Sequence, residues 1–175
     1  MVDDVGVRIR AAVRADAGTL TELGARTFRD SFAAANRPED MEAFIASHYR
    51  LEIQIAELED PRNLYLLAEV GELPAGFALL RDGPRERGVS GERPVNLSRL
   101  YVDRPFLGAK VGAALMRRSM DEARARGHDV LWLGVWEHNV RARAFYARWG
   151  FAEVGEMSFL LGSDPQRDLV LALKL

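Results

Sequence analysis

The residues whose types and spacing can do chemistry lie mostly between positions 97 and 155. Tyr146 carries a phenol with a reference pKa of about 10, protonated at neutral pH and able to hand its proton to a departing anion. A packed core ring is the alternative role for the same residue. Glu137 and His138 stand just past an apolar run, where a carboxylate or an imidazole can take a proton directly or through water. The alternative is that both are solvated loop residues. Asn139 can cap a helix with its side-chain oxygen, hydrogen-bond a ligand, or do both. The segment Gly108-Ala109-Lys110-Val111-Gly112 precedes a long amphipathic run. Free amides and the positive end of the dipole at a helix start suit a diphosphate there, and glycine allows close backbone approach. Turn geometry and helix packing are the plainer roles for Gly108 and Gly112, and a surface helix position is the plainer role for Lys110.

Other chemistries find no foothold. The chain has no cysteine, so it can form no disulfide, thiolate nucleophile or Cys-ligated zinc site. His48, His128 and His138 are far apart in sequence, without HExxH spacing, and no metal is expected. Neither GxxxxGK[ST] nor GxGxxG occurs, which removes support for ATP hydrolysis and dinucleotide binding.

Positioning these residues requires a mixed α/β arrangement. Alternation from Val7 to Ala11 predicts a strand. Asp16 then caps a helix whose stripe is Leu20, Leu23, Thr27, Phe28, Ser31 and Phe32. A second helix follows Pro38, with Met41, Phe44, Ile45, Tyr49 and Ile53 on its apolar side, and ends by Pro61. Residues 63–70 and 74–80 form a hairpin-like strand pair around Gly71-Glu72. The Gly-, Pro- and charge-rich stretch from Arg81 to Pro94 predicts a mobile surface loop. A strand over 95–102, a helix from Gly108 to Arg126 stopped by Gly127, and a strand over 130–135 make a β-α-β unit. Val111, Leu115, Met116, Met120 and Ala123 form the helix's packing stripe. A short helix over 139–149 ends at Gly150, before strands over 151–161 and 169–173.

The stretch from Leu97 to Gly155 resembles the GNAT superfamily of N-acetyltransferases. The resemblance rests on Leu100-Tyr101-Val102-Asp103 before the glycine-containing turn, and on Asn139, Ala142, Phe145, Tyr146, Gly150 and Phe151, which match N-x-x-A-x-x-F-Y-x-x-x-G-F. The family pattern Q/R-x-x-G-x-G/A places Gln or Arg where this chain has Leu107 and Gly where it has Lys110. The resemblance implies a mixed central sheet of about seven strands, mostly antiparallel with a parallel, splayed central pair, flanked by about four helices. It implies acetyl-CoA as co-substrate, bound by Leu100, Tyr101, Val102, Leu107, Gly108, Ala109, Lys110, Val111, Gly112, Ala113, Asn139, Ala142 and Phe145. Tyr146 is then the catalytic acid and Glu137 the candidate base. The outer segments Phe28-Arg29-Asp30-Ser31-Phe32, Glu39-Asp40-Met41 and Phe159 to Leu169 look like those of Pai-type bacterial spermine/spermidine acetyltransferases, which implies a polyamine acceptor.

A chain of 175 residues buries roughly 70% of its unfolded surface, and one domain over residues 1–175 is expected. The net charge of −2 offers no broad positive field for nucleic acid. The N-terminus is acidic where a signal peptide is basic, and no run of 18 apolar residues occurs. A soluble cytoplasmic protein with no membrane partner is expected. Acids around the first two helices, namely Asp30, Glu39, Asp40, Glu42, Glu52, Glu57, Glu59 and Asp60, could attract a polycation, although a solvated helix face explains them equally. Direct acetyl transfer to a small primary amine is the leading expectation. A protein N-terminus, a lysine or an antibiotic amine are other acceptors, and a non-catalytic acyl-CoA-binding regulatory module is the alternative of another class. The resemblance also admits a homodimer.

Overall fold

The computed structural model describes residues 6–175; the acidic start at residues 1–5, on which the compartment expectation partly rests, lies outside the described residues. The elements are β1 (Val7–Ala11), α1 (Ala17–Phe32), α2 (Pro38–His48), α3 (Leu51–Glu59), β2 (Asn63–Val70), β3 (Leu73–Arg81), β4 (Pro94–Val102), α4 (Val111–Ala125), β5 (Val130–Trp136), α5 (Val140–Arg148), β6 (Ala152–Leu161) and β7 (Asp164–Lys174). The strands form one sheet in the order β1-β2-β3-β4-β5-β7-β6. Among the described residues only β4 and β5 pair in parallel. Among the described residues no helix is long and apolar enough to cross a membrane.

Period-2 alternation divides the core between the two faces of the sheet. On β2, Leu66 and Ala68 point to one side and Tyr65 and Leu67 to the other. The first side packs against Val111, Leu115, Met116 and Ala123 of α4. The second packs against Leu20, Leu23 and Phe28 of α1 and Met41, Phe44 and Ile45 of α2. Burying each such large apolar side chain contributes about 1.5–3 kcal/mol.

Five expectations need correction. The second predicted helix is two helices, so among the described residues five α-helices flank the sheet rather than about four. Tyr49 and Arg50 leave helical geometry there, and the Tyr49 ring occupies the space that a side chain at Gly24 would need. Gln54 Nε2 donates to the His48 carbonyl at 2.7 Å, satisfying a group that the break leaves open. Asp16 does not cap α1 with its side chain; the carboxylate accepts from Val13 N–H at 2.7 Å and from the Arg10 guanidinium. The segment between β3 and β4 is pinned rather than loose. Val89 is buried against Val130, Trp132 and Val170, and Asp129 accepts from the amides of Glu92 and Arg93 at 2.7 and 2.9 Å. Finally, α4 begins at Val111 rather than Gly108, and β7 runs from Asp164 to Lys174 rather than over 169–173.

Candidate active site

β4 and β5 pair only at their first residues: Pro94 with Val130, Val95 with Leu131, and Asn96 with Trp132. Asn96 Nδ2 also donates to the Trp132 carbonyl at 3.2 Å, at the closed end of the V. Beyond it the facing edges from Leu97 to Val102 and from Leu133 to Trp136 have no strand partner among the described residues. The β3–β4 register skips Ser98, since Leu79 pairs with Arg99 and Leu80 with Leu97. Such a bulge bends a strand and locally strengthens its twist, which accounts for the divergence. Unpaired peptide groups along an opened edge are suited to receive an extended, amide-containing ligand as an added strand.

A cavity of about 260 Å³ lies at this opening. Leu97, Leu100 and Tyr101 line it from β4, and Gly134, Val135 and Trp136 from β5. Asn139, Ala142 and Tyr146 of α5 complete one side, and Phe28, Phe32, Met157, Phe159 and Asp168 lie on others. Tyr146 is buried, and burial pushes its phenol above the usual range, so the side chain stays a proton donor at neutral pH. Asn139 performs its capping role, accepting from Ala142 N–H at 3.1 Å, while also lining the cavity.

The predicted diphosphate turn sits outside that cavity lining but adjoins the same elements. Asp103 anchors its start, accepting from Arg26 of α1 at 3.0 and 2.8 Å. Gly108 has φ +90° and Lys110 φ +61°. Lys110 is the only non-glycine residue in the left-handed region among the described residues, so it adopts the conformation that the family's glycine would take freely. The first helical hydrogen bond of α4 runs from Ala114 N–H to the Lys110 carbonyl. The amides of Val111, Gly112 and Ala113 therefore precede the intrahelical ladder and suit an anion. A Cβ at Gly112 would touch Val102 at 3.5 Å and Phe145 at 3.8 Å. The end of β4, the start of α4 and α5 thus converge at Gly112. Leu107 and Lys110 are exposed beside this turn.

Glu137 lies outside the cavity lining and pairs with Arg167 at 3.4 Å. The acid that does line it is Asp168, which sequence reasoning missed. It is 8% exposed, its Oδ1 is buried without a hydrogen-bond partner among the described residues, and burial raises its pKa to about 6. Gly134 leaves the space in front of it open, since a Cβ there would meet Met157 Sδ at 3.0 Å and Asp168 Oδ2 at 3.3 Å. Glycine within a strand signals such a close approach, and this was the one available sign. Among the acids expected to draw a polycation, six are ion-paired. Asp40 pairs with Arg37, Glu42 with Arg29, Glu52 with Arg50, Glu57 with Arg81 and Arg99, Glu59 with Arg14, and Asp60 with Arg62.

Comparison with known proteins adds an independent line. The model of the acetyltransferase (GNAT) family matches residues 26–151. An uncharacterised N-acetyltransferase of Lactobacillus delbrueckii is 30% identical over 166 residues, spanning 95% of this chain and 96% of that protein. One of Mycobacterium tuberculosis is 33% identical over 160 residues, spanning 91% and 98%. The solved structure of a PaiA N-acetyltransferase from Thermoplasma acidophilum in complex with coenzyme A has the same fold. Its TM-score is 0.80 at 21% identity, covering 97% of this chain and 99% of that one. A putative acetyltransferase of Salmonella typhimurium solved with acetyl-CoA gives a TM-score of 0.67 at 22% identity, covering 97% and 94%.

Proposed function

Because this chain belongs to the acetyltransferase (GNAT) family, we propose that it is an acetyl-CoA-dependent N-acetyltransferase that passes the acetyl group directly to a primary amine. The observation that carries this reading is the pair of unpartnered edges of β4 and β5 opening beside a buried tyrosine. The residues fit the co-substrate: peptide groups along Leu97–Val102 can pair with a pantetheine arm, and the turn at Lys110–Ala113 can hold the diphosphate. Asn139 caps α5, and Ala142 and Phe145 lie on it, where they can border the arm.

The amine lone pair attacks the thioester carbonyl, forming a C–N bond as the C–S bond breaks. Backbone N–H groups on the free edge of β4 stabilise the developing oxyanion. Tyr146 donates its proton to the departing sulfur, and the nitrogen's proton passes to a base on the acceptor side. An alkylammonium of reference pKa near 10.4 costs roughly 4–5 kcal/mol to deprotonate at pH 7, so a base in or near the cavity is required. Holding amine and thioester in one cleft supplies much of the rate. The proposal includes a cytoplasmic location and one catalytic domain over the whole chain.

The test is thiol release from acetyl-CoA in the presence of a panel of amines, with mass spectrometry of each amine. An amine-dependent rate and a product heavier by one acetyl group are expected. Acetyl-CoA binding with no amine-dependent thiol release across polyamines, peptides, antibiotic amines and simple monoamines would overturn catalysis in favour of an acyl-CoA-binding regulatory module.

A further inference from the structure

The acceptor side of the cavity is apolar on most sides. Phe28 and Phe32 of α1, Trp136 of β5 and Phe159 of β6 form an aromatic wall, within which Phe32 and Trp136 meet edge to face at 6.3 Å between centroids. Asp168 stands against it from β7, fixed by register between Trp136 on one side and Met157 on the other. A carboxylate in such a place is costly to bury without a counter-charge, and Oδ1 finds no partner among the described residues. Aromatic faces and a carboxylate together select an organic cation with an apolar body.

Resting on the reading of this chain as an amine acetyltransferase, we infer that the acceptor is a compact arylalkyl or branched-alkyl monoamine, whose ammonium group is held by Asp168 and loses its proton to that carboxylate. The cavity, about 260 Å³, must also admit the acetyl thioester. A long polycation needs further carboxylates along its length, and six of the eight acids on the neighbouring helices are held by arginines.

The other ionisable groups lining the cavity are Arg99 and Tyr101 of β4 and Tyr146 of α5. From α1, β5 and β6 only Phe28, Phe32, Trp132, Trp136 and uncharged residues face it. Tyr146 is buried and Tyr101 half-buried; both stay protonated, since desolvation pushes both upward, and Arg99 is committed to Glu57 at 2.7 Å. Asp168 is therefore the group of this cavity that titrates near neutrality. Proton transfer balances: the ammonium proton passes to Asp168 and on to solvent before attack, and as the amide forms the second nitrogen proton goes to Asp168 while the Tyr146 proton goes to sulfur. Solvent then returns one to the phenol and removes one from the carboxyl, so one proton is released per acetyl transferred.

The experiment compares kcat/KM for 2-phenylethylamine, isoamylamine, spermidine and a free-N-terminus peptide in wild type, D168N and D168E, with acetyl-CoA affinity measured by calorimetry for each. Expected are at least a tenfold preference for the two monoamines and a fall of 100-fold or more in D168N, with acetyl-CoA Kd within about twofold of wild type. The acidic limb of the kcat/KM profile near pH 6 is expected to disappear in D168N and to be partly restored in D168E. Removing an unpaired buried carboxylate is not expected to lower Tm at pH 7, so D168N remains a folded control. Preference for spermidine or the peptide, or a D168N enzyme with unchanged rate and pH profile, overturns this inference while leaving the acetyltransferase reading intact. Absence of acetyl-CoA binding or of any amine acetylation by wild type overturns both.

Discussion

Tyr146 and Lys110 show how far single residues determine the chemistry. If the phenol protonates the leaving sulfur, Y146F is expected to lower kcat by about 10²–10⁴-fold while leaving acetyl-CoA affinity within about twofold; stopped-flow thiol release with calorimetry checks it. Lys110 sits at φ +61°, where a Cβ is disfavoured by roughly 1–2 kcal/mol. K110G is therefore expected to unfold at the same or a higher urea midpoint, whereas G108V, at φ +90° with open space around it, loses about 1–3 kcal/mol through backbone strain alone. Tyr146, Asn139 and Phe145 were legible because they share one helix and its N-cap, so their spacing survives in the sequence. Asp168 was not. It looks like any acid in a polar-apolar alternation, and only the register of β7 against Trp136 and Met157 places it in the cavity.

The break between α2 and α3 matters at the scale of elements. It turns α3 so that Glu57 reaches Arg99 and Arg81 at 2.7 Å, beneath Tyr65, which donates to the same carboxylate at 2.6 Å. Arg99 also donates to the Tyr65 hydroxyl and lies 5.2 Å from the Tyr49 ring centroid. This network holds the residue next to the Ser98 bulge, and so the strand edge proposed to receive the co-substrate. Removing Glu57 strands a buried guanidinium; E57A is expected to lose about 3–5 kcal/mol, measured by urea unfolding at pH 7. Burial pushes the Glu57 pKa up, but Arg99, Tyr65 and Arg81 outweigh it and the net shift is downward. Its contribution is thus present above the unfolded value of about 4.3 and lost as pH falls through the lower folded value. Periodicity predicted one helix here because Met41, Phe44, Ile45, Tyr49 and Ile53 keep a helical rhythm across the break. The break itself arises from Tyr49 packing over Gly24, a contact between distant parts of the chain.

For the whole molecule, the single parallel pair among the described residues follows from the β-α-β unit around α4, with hairpins joining β2 to β3 and β6 to β7 and helices carrying the chain from β1 to β2 and from β5 to β6. The sequence made these visible as alternating runs and helix stops. The splay was a family expectation only, since it depends on the bulge at Ser98. One consequence appears in global stability. Asp168 has a folded pKa of about 6, above its unfolded value of about 3.9, so the folded state binds the extra proton. Its contribution therefore falls as pH rises from about 4 to about 6 and is flat above that. The difference between wild type and D168N in urea unfolding is expected to grow in the same window.

The account as a whole depends on the opening between β4 and β5 being the seat of the thioester, which a crystal structure of the protein grown with coenzyme A tests most directly. The expected density runs between Leu97–Val102 and Leu133–Trp136, with the diphosphate on the amides of residues 110–113 and the sulfur within about 3.5 Å of the Tyr146 hydroxyl. A nucleotide bound elsewhere, or a sulfur remote from Tyr146, would contradict it.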